Sequence, residues 1–177
     1  MPTDDQPLPY RVAVLCYLYD HEGRLLLLHR DQQPNIGRYS PVGGKVEVAS
    51  GEGPHECAVR EVREETGIAL DHDDLRLTGI VSERTYQDEA HWLIFLFEAV
   101  APLAADALKW TRFKEGTLEW KRAEEVPGLP IPRTDREIMW PLVQAHRGGF
   151  FVVHIDWSAT DMTWTVHESV KKKGVSD

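Results

Sequence analysis

The stretch from Gly43 to Ile68 limits the fold of this chain more than any other. Its second half predicts one helix with defined ends. Gly53 suits the N-cap, Pro54 suits the first helical position, and Glu56 adds negative charge to the first turn. Gly67 is a C-terminal stop. Inside, Glu61, Glu64 and Glu65 stand at i, i+3 and i+4, so their carboxylates project from one face. Val59, Val62 and Thr66 form the opposing apolar stripe, which can seat the helix on a core.

Three carboxylates in one place repel one another. At about 4 Å each pair costs roughly 1 kcal/mol in water and about 4 kcal/mol at an effective dielectric near 20. Arg60 can pair with Glu64 at i+4, but one arginine does not neutralise three acids. A divalent cation does, and all-oxygen ligation suits Mg²⁺, Ca²⁺ or Mn²⁺. Three glutamates alone would read as a solvated acidic face. The Gly43-Gly44 loop upstream, the adjacent arginine and the glycine stop weigh against that plainer reading.

Taken together, Gly44, Glu52, Arg60-Glu61, Val62, Glu64-Glu65, Gly67 and Ile68 resemble the signature box of the Nudix hydrolase family. The seven-residue gap from Glu52 to Arg60 matches the family's. From Gly44 to Glu52 there are seven residues where the family usually has five, so Val48-Ala49-Ser50 carries a two-residue insertion. A loop absorbs that at little cost. The resemblance implies a three-layer α/β/α sandwich with a mixed β-sheet. It implies Glu61, Glu64, Glu65 and the Gly44 carbonyl as metal ligands, Mg²⁺ as the cofactor with Mn²⁺ as a substitute, and Arg60 as the group that orients Glu64. It also places Glu52 and Gly67 in supporting roles; the family's general base varies between members, and Glu64 is the candidate in this chain.

The rest of the chain fits one domain over residues 10–168, with loose ends at 1–9 and 169–177. Arg11 to Tyr19 and Arg24 to Arg30 read as buried strands joined in a hairpin through Asp20-His-Glu-Gly23. Pro34 and Gly37 mark a loop, and Tyr39 to Val42 a short strand. Strands are expected at Leu75 to Val81, His91 to Val100 and Thr117 to Lys121. A helix follows from Thr134 to about His146, kinked or interrupted at Pro141. Phe150 to Ile155 and Met162 to His167 close the chain as a hairpin.

A net charge of −9 argues against a nucleic-acid polymer as partner, because phosphate backbones reward excess Lys and Arg. It leaves a small nucleotide open. Two cysteines, Cys16 and Cys57, give neither a disulfide framework nor metal spacing, which points to a reducing cytoplasm. No apolar run approaches a membrane span.

The likeness extends past the box. Glu115, Trp120 and Asp135 fall at offsets similar to those in the branch that hydrolyses oxidised purine nucleotides such as 8-oxo-dGTP. That branch implies a loop metal ligand at Glu115 and a base-reading acid at Asp135. Lys45, Ser40 and Tyr39 join Asp135 as candidate substrate contacts, with Phe113 and Trp120 as alternative stacking aromatics. Ser40 stands where the branch can use Asn, and Pro132 and Thr134 where it can use Trp and a second Asp. Three functions follow. The first is a Mg²⁺-dependent pyrophosphohydrolase releasing a nucleoside monophosphate and pyrophosphate. The second is the same chemistry on ADP-ribose, a nucleotide sugar or a dinucleotide. The third is a catalytically silent nucleotide-binding regulator. Homodimers are common in the family, and the sequence carries no interface signal.

Overall fold

A computed structural model describes residues 7–33 and 35–173. Pro34, most of the expected loose N-terminus and the last four residues of the expected tail lie outside that range.

Nine strands form one mixed sheet among the described residues: β1 (Tyr10–Tyr17), β2 (Leu25–Arg30), β3 (Tyr39–Lys45), β4 (Leu75–Tyr86), β5 (Ala90–Ala99), β6 (Arg112–Phe113), β7 (Gly116–Lys121), β8 (Phe150–Asp156) and β9 (Thr163–Val170). Their spatial order is β6-β7-β2-β3-β1-β5-β4-β8-β9. The β1–β5 and β4–β8 pairs are parallel and the others antiparallel. Helix α1 (Pro54–Thr66) covers one face of the sheet, and α2 (Trp140–Ala145) covers the other. This is the expected three-layer sandwich.

Period-two alternation builds both cores from the same strands. Val14, Cys16 and Leu18 of the first strand region, with Leu26 and Leu28 of β2, pack toward Cys57, Ala58 and Val62 of α1. Tyr17, Tyr19, Leu25 and Leu27 pack toward Ile138, Met139, Trp140 and Val143. A fully buried Val62 contributes about 2 kcal/mol by area alone. Val59, expected in the apolar stripe, is only half-buried; Cys57 and Ala58 supply the contact instead.

Two expectations need correction. First, β1 and β2 are not a hairpin. Their facing ends meet at the Tyr19–Leu25 bridge, and then β3 enters between them. Residues Tyr39 to Pro41 pair with β2, while Val42 to Lys45 pair with β1. Strand β3 therefore runs past Val42 and carries both glycines. Gly43 takes φ +155°, and a Cβ there would lie 2.2 Å from the Val14 carbonyl oxygen. Only glycine allows this close approach. Second, β4 is longer than expected and contains a bulge. Leu77 faces Phe97 and Gly79 faces Leu96, leaving Thr78 as the extra residue. A bulge reverses the alternation beyond it. Leu75 and Leu77 point to the α1 side, whereas Val81 points to the α2 side.

The second helix begins with a π-turn, Asp135–Met139, before α2. Pro141 has no N–H for the carbonyl of residue 137, and its ring crowds that carbonyl. The chain responds one residue earlier by widening: the Trp140 N–H bonds the Asp135 carbonyl, five residues back. The final hairpin is present, and β9 reaches Val170, into the stretch expected as tail.

Candidate active site

The helix forms as its sequence predicts. Glu56 accepts from the Gly53 N–H at 2.7 Å, and Gly67 closes the helix at φ +75° with its N–H on the Arg63 carbonyl. The two-residue insertion is taken up by a 3₁₀ turn at Val48–Ser50. The Glu47 N–H donates to Glu52 at 2.8 Å across that turn, so Glu52 still reaches the helix.

Glu52 meets Arg60 in a two-point pair, Nε to Oε1 at 2.6 Å and Nη2 to Oε2 at 2.9 Å. Arg60 Nη1 donates to Glu61 at 2.7 Å and to Glu64 at only 3.4 Å. The expected Arg60–Glu64 partnership is thus the weakest of the three. The rigid fork of the guanidinium holds a bidentate carboxylate more firmly than a mobile one in solvent. Hydrogen bonding by Arg60 holds the Glu52 carboxyl down at about 2.

The three box glutamates do not share one environment. Glu64 is 60% exposed, Glu61 is 13% exposed, and Glu65 is buried. Glu65 accepts from the Gly43 N–H at 3.2 Å. Burial, then repulsion by Glu61, pushes its carboxyl up to about 8. Glu61 is raised as well, first by burial, against the pull of Arg60. Glu115 adds to the repulsion felt by both. Gly44 is the cradle for this group, because a Cβ there would lie 2.4 Å from Glu61 Oε1.

Glu61 and Glu115, but not Glu64 or Glu65, line a cavity of about 560 Å³, within the usual range for small-molecule sites. One end is lined by Gly43, Gly44, Lys45, Arg60, Glu61 and Glu115. The other is lined by Tyr86, Trp92, Ile94, Met139 and two further acids, Glu83 and Asp135, while Leu15 lies beside Gly43, its partner in register. Ser40 lines it too. Tyr39 does not: its ring stacks on His29 at 4.5 Å and its hydroxyl donates to Glu119. Phe113 and Trp120 pack against the α1-side core. Among the described residues no three acidic side chains already converge on one point. Arg60 draws Glu61 aside, and Arg30 lies 3.4 Å from Glu115.

Glu83 is the site residue that sequence reading missed. It is 95% buried by its 5% exposure, yet lies past the end expected for its strand. The Thr78 bulge turns it into the cavity, opposite Trp92 in register. An acid flanked by a strand and followed by Tyr86 was the only available signal.

The sequence model of the family described as the NUDIX domain matches residues 9–144. The chain is 30% identical over 126 residues to the uncharacterized Nudix hydrolase YvcI of Bacillus subtilis, covering 70% of this chain and 73% of that one. It is 28% identical over 162 residues to an RNA pyrophosphohydrolase of Erythrobacter litoralis, covering 82% and 95%. Among solved structures it is similar to a MutT protein from Bacillus halodurans, at 26% identity and a TM-score of 0.70, covering 89% and 97%.

Proposed function

The chain belongs to the Nudix hydrolase family, and on that premise we propose that it is a Mg²⁺-dependent pyrophosphohydrolase acting on a nucleoside triphosphate. Damaged purine triphosphates such as 8-oxo-dGTP are included. The observation that carries this reading is the two-ended cavity: Gly44, Arg60 and the acid Glu61 on one side, and an aromatic recess holding Glu83 and Asp135 beyond them. A phosphate chain fits the first end and a nucleobase the second.

Nudix hydrolases generally use divalent metal ions, and the residues here fit one. All the donors are oxygen, the carboxyls of Glu61, Glu65 and Glu115 repel one another, and Gly44 leaves room beside Glu61. In this reading Glu61, Glu65, Glu115 and the Gly44 carbonyl would hold magnesium, which leaves Glu64 as the base. When bound, the metal neutralises phosphate charge and acidifies water. The chain's own groups do the rest. Arg60 fixes Glu61 and ties the insertion loop through Glu52. Lys45 and Ser40 line the path of the phosphates. Water adds to phosphorus, the bridging P–O bond breaks, and pyrophosphate leaves with the bond's electrons. The proton from water passes to a carboxylate. Glu64, the most exposed box acid, is free to take it.

Product analysis tests the reaction: a nucleoside triphosphate should yield monophosphate and pyrophosphate, only with Mg²⁺. Glu64→Gln at saturating Mg²⁺ should lose roughly 100-fold in kcat. Near-normal turnover would remove Glu64 from any essential role. ADP-ribose, nucleotide sugars and dinucleotides would give a sugar phosphate or two monophosphates instead. The likeness to an RNA pyrophosphohydrolase across most of both chains supports a second reading, 5′-triphosphorylated RNA. The net charge of −9 weighs against a long polymer. Pyrophosphate release from a 5′-triphosphate oligonucleotide, compared with the free nucleotide, decides between them.

A further inference from the structure

We propose that Trp110 is a positioning residue for the metal-binding acids: its indole N–H holds the last turn of α1 at Glu65 and fixes how far that turn stands from Glu115. This deepens the pyrophosphohydrolase reading and rests on it for the metal.

An α-helix leaves its last four carbonyls without partners inside the helix. In α1 these belong to Arg63, Glu64, Glu65 and Thr66. The Gly67 N–H takes the first. The last two are taken from far along the chain. Trp110 Nε1 donates to the Glu65 carbonyl at 2.7 Å, and the Lys109 N–H donates to the Thr66 carbonyl at 3.0 Å. The Lys109 side chain also lies across Gly67, where an added Cβ would come within 2.6 Å of the lysine Cβ and Cδ. The glycine stop therefore does two things. It supplies the left-handed φ of +75°, and it makes room for the lysine stem.

Glu65 is thus held at both ends. Its carboxylate accepts from the Gly43 N–H on β3, and its carbonyl accepts from Trp110. The indole N–H is the only polar group of the tryptophan side chain, and it is spent on this bond.

The same segment carries Glu115, five positions further on. Little slack separates the two. The Thr111 carbonyl accepts from the Leu118 N–H at 2.7 Å. Arg112 faces Thr117 and Phe113 faces Gly116, so Lys114 and Glu115 form a two-residue hairpin turn. The Glu115 carbonyl accepts from the Asp31 N–H at 2.9 Å, and Arg112 pairs with Asp31 at 2.9 Å. Phe113 packs against the α1-side core. The turn bearing Glu115 is therefore a stiff piece, and Trp110 is where that piece is bonded to the acid-bearing end of α1. The joint matters because the acids it brings together repel: Glu115 acts against the charge of both Glu61 and Glu65. Without a tether, the two sides of the ligand set relax apart, and a cation must first pull them together.

The test compares wild type with Trp110→Phe, which keeps a ring and removes the donor. Trp110 is 38% exposed, so the change opens no sealed cavity in the core. Calorimetry with Mn²⁺ on the nucleotide-free protein should show Kd raised roughly 3- to 10-fold, the worth of one hydrogen bond. In hydrolysis, the Mg²⁺ concentration giving half-maximal rate should rise by the same factor. The nucleotide KM and the kcat at saturating Mg²⁺ should stay within about 2-fold. If Trp110 served the fold alone, the urea midpoint would fall and both metal constants would stay put; that result overturns the proposal. Linkage gives a check that needs no variant and serves if Trp110→Phe does not fold: what Trp110 lends to metal binding, the metal returns to the Trp110 bond. Saturating Mg²⁺ should slow hydrogen exchange of the Trp110 indole roughly 3- to 10-fold more than that of the Trp157 indole, which donates to Glu83. Equal slowing overturns the proposal, as does a wild type that takes up no Mn²⁺. Hydrolysis with unchanged metal constants in Trp110→Phe would keep the reaction and remove the proposal. Mn²⁺ affinity that depends on Trp110, in a protein that hydrolyses no nucleotide, would keep the proposal and remove the reaction.

Discussion

The carboxyl clamped by Arg60 beside the helix and the two carboxyls of the recess are treated in opposite ways. At the helix end, Arg60 gathers carboxylates: Glu52 and Glu61 lie within 2.7 Å of it, and Glu52 is held down at about 2. At the recess end, no arginine among the described residues hydrogen-bonds Glu83 or Asp135, and burial lifts both to about 7. The first arrangement keeps Glu52 charged, while Glu65, out of reach of Arg60 and buried behind Glu61, is pushed up to about 8. The second makes its acids titrate near neutrality. The comparison teaches that acid count says little about a site's charge; the neighbouring guanidinium and the depth of burial decide it.

The contrast can be broken most strongly at the helix end. Glu61→Gln should lower kcat roughly 1000-fold in a steady-state assay, because it removes a carboxylate that would hold the metal against the reacting phosphates. Circular dichroism should show the fold intact, since one of several repelling acids has been neutralised. Gly44→Ala should lose roughly 100-fold by a different route: the new methyl displaces the Glu61 carboxylate from its cradle by about an ångström. Both variants retaining wild-type kcat would refute the role of this end.

Glu83→Gln sharpens the comparison through stability. An acid raised in the folded state holds its proton longer than in the unfolded chain. Its burial therefore lowers stability progressively as pH rises from about 4 to about 7. Glutamine removes that slope. Urea denaturation should find the variant more stable at pH 8 by up to about 3 kcal/mol, and little changed at pH 4. Arg60→Lys works in the opposite sense. Glu52 is lowered in the folded state, so its contribution is present above the unfolded value near 4.3 and is lost as pH falls toward about 2. Lysine cannot span both Glu52 oxygens, so stability at pH 7 should fall by roughly 1–2 kcal/mol and the acid transition should move to higher pH. The smallest effect is expected away from both ends. Removing the exposed Arg133–Glu137 pair with Glu137→Gln should change stability by less than about 0.5 kcal/mol.

Local signals made the helix end legible. Capping residues, i, i+3 and i+4 spacing, and a glycine stop act within a few residues, so α1 could be bounded at both ends before any packing was known. Pro141 likewise announced an interruption, and the π-turn is its physical form. The β1–β2 hairpin was misread for the same reason: Asp20 to Gly23 is a true turn, but pairing beyond its first rung depends on β3, whose sequence lies elsewhere.

The sequence by itself determined the acid-bearing helix and the arginine beside it, because each rests on neighbours along the chain, and the three-layer sandwich followed from the family resemblance that this motif carries. Tertiary structure alone decided which acids are charged and where Glu83 points. One unpaired residue, Thr78, reverses the face of each side chain from Gly79 to Glu83 in β4, and a strand's alternation gives no warning of a bulge until its partner is in place.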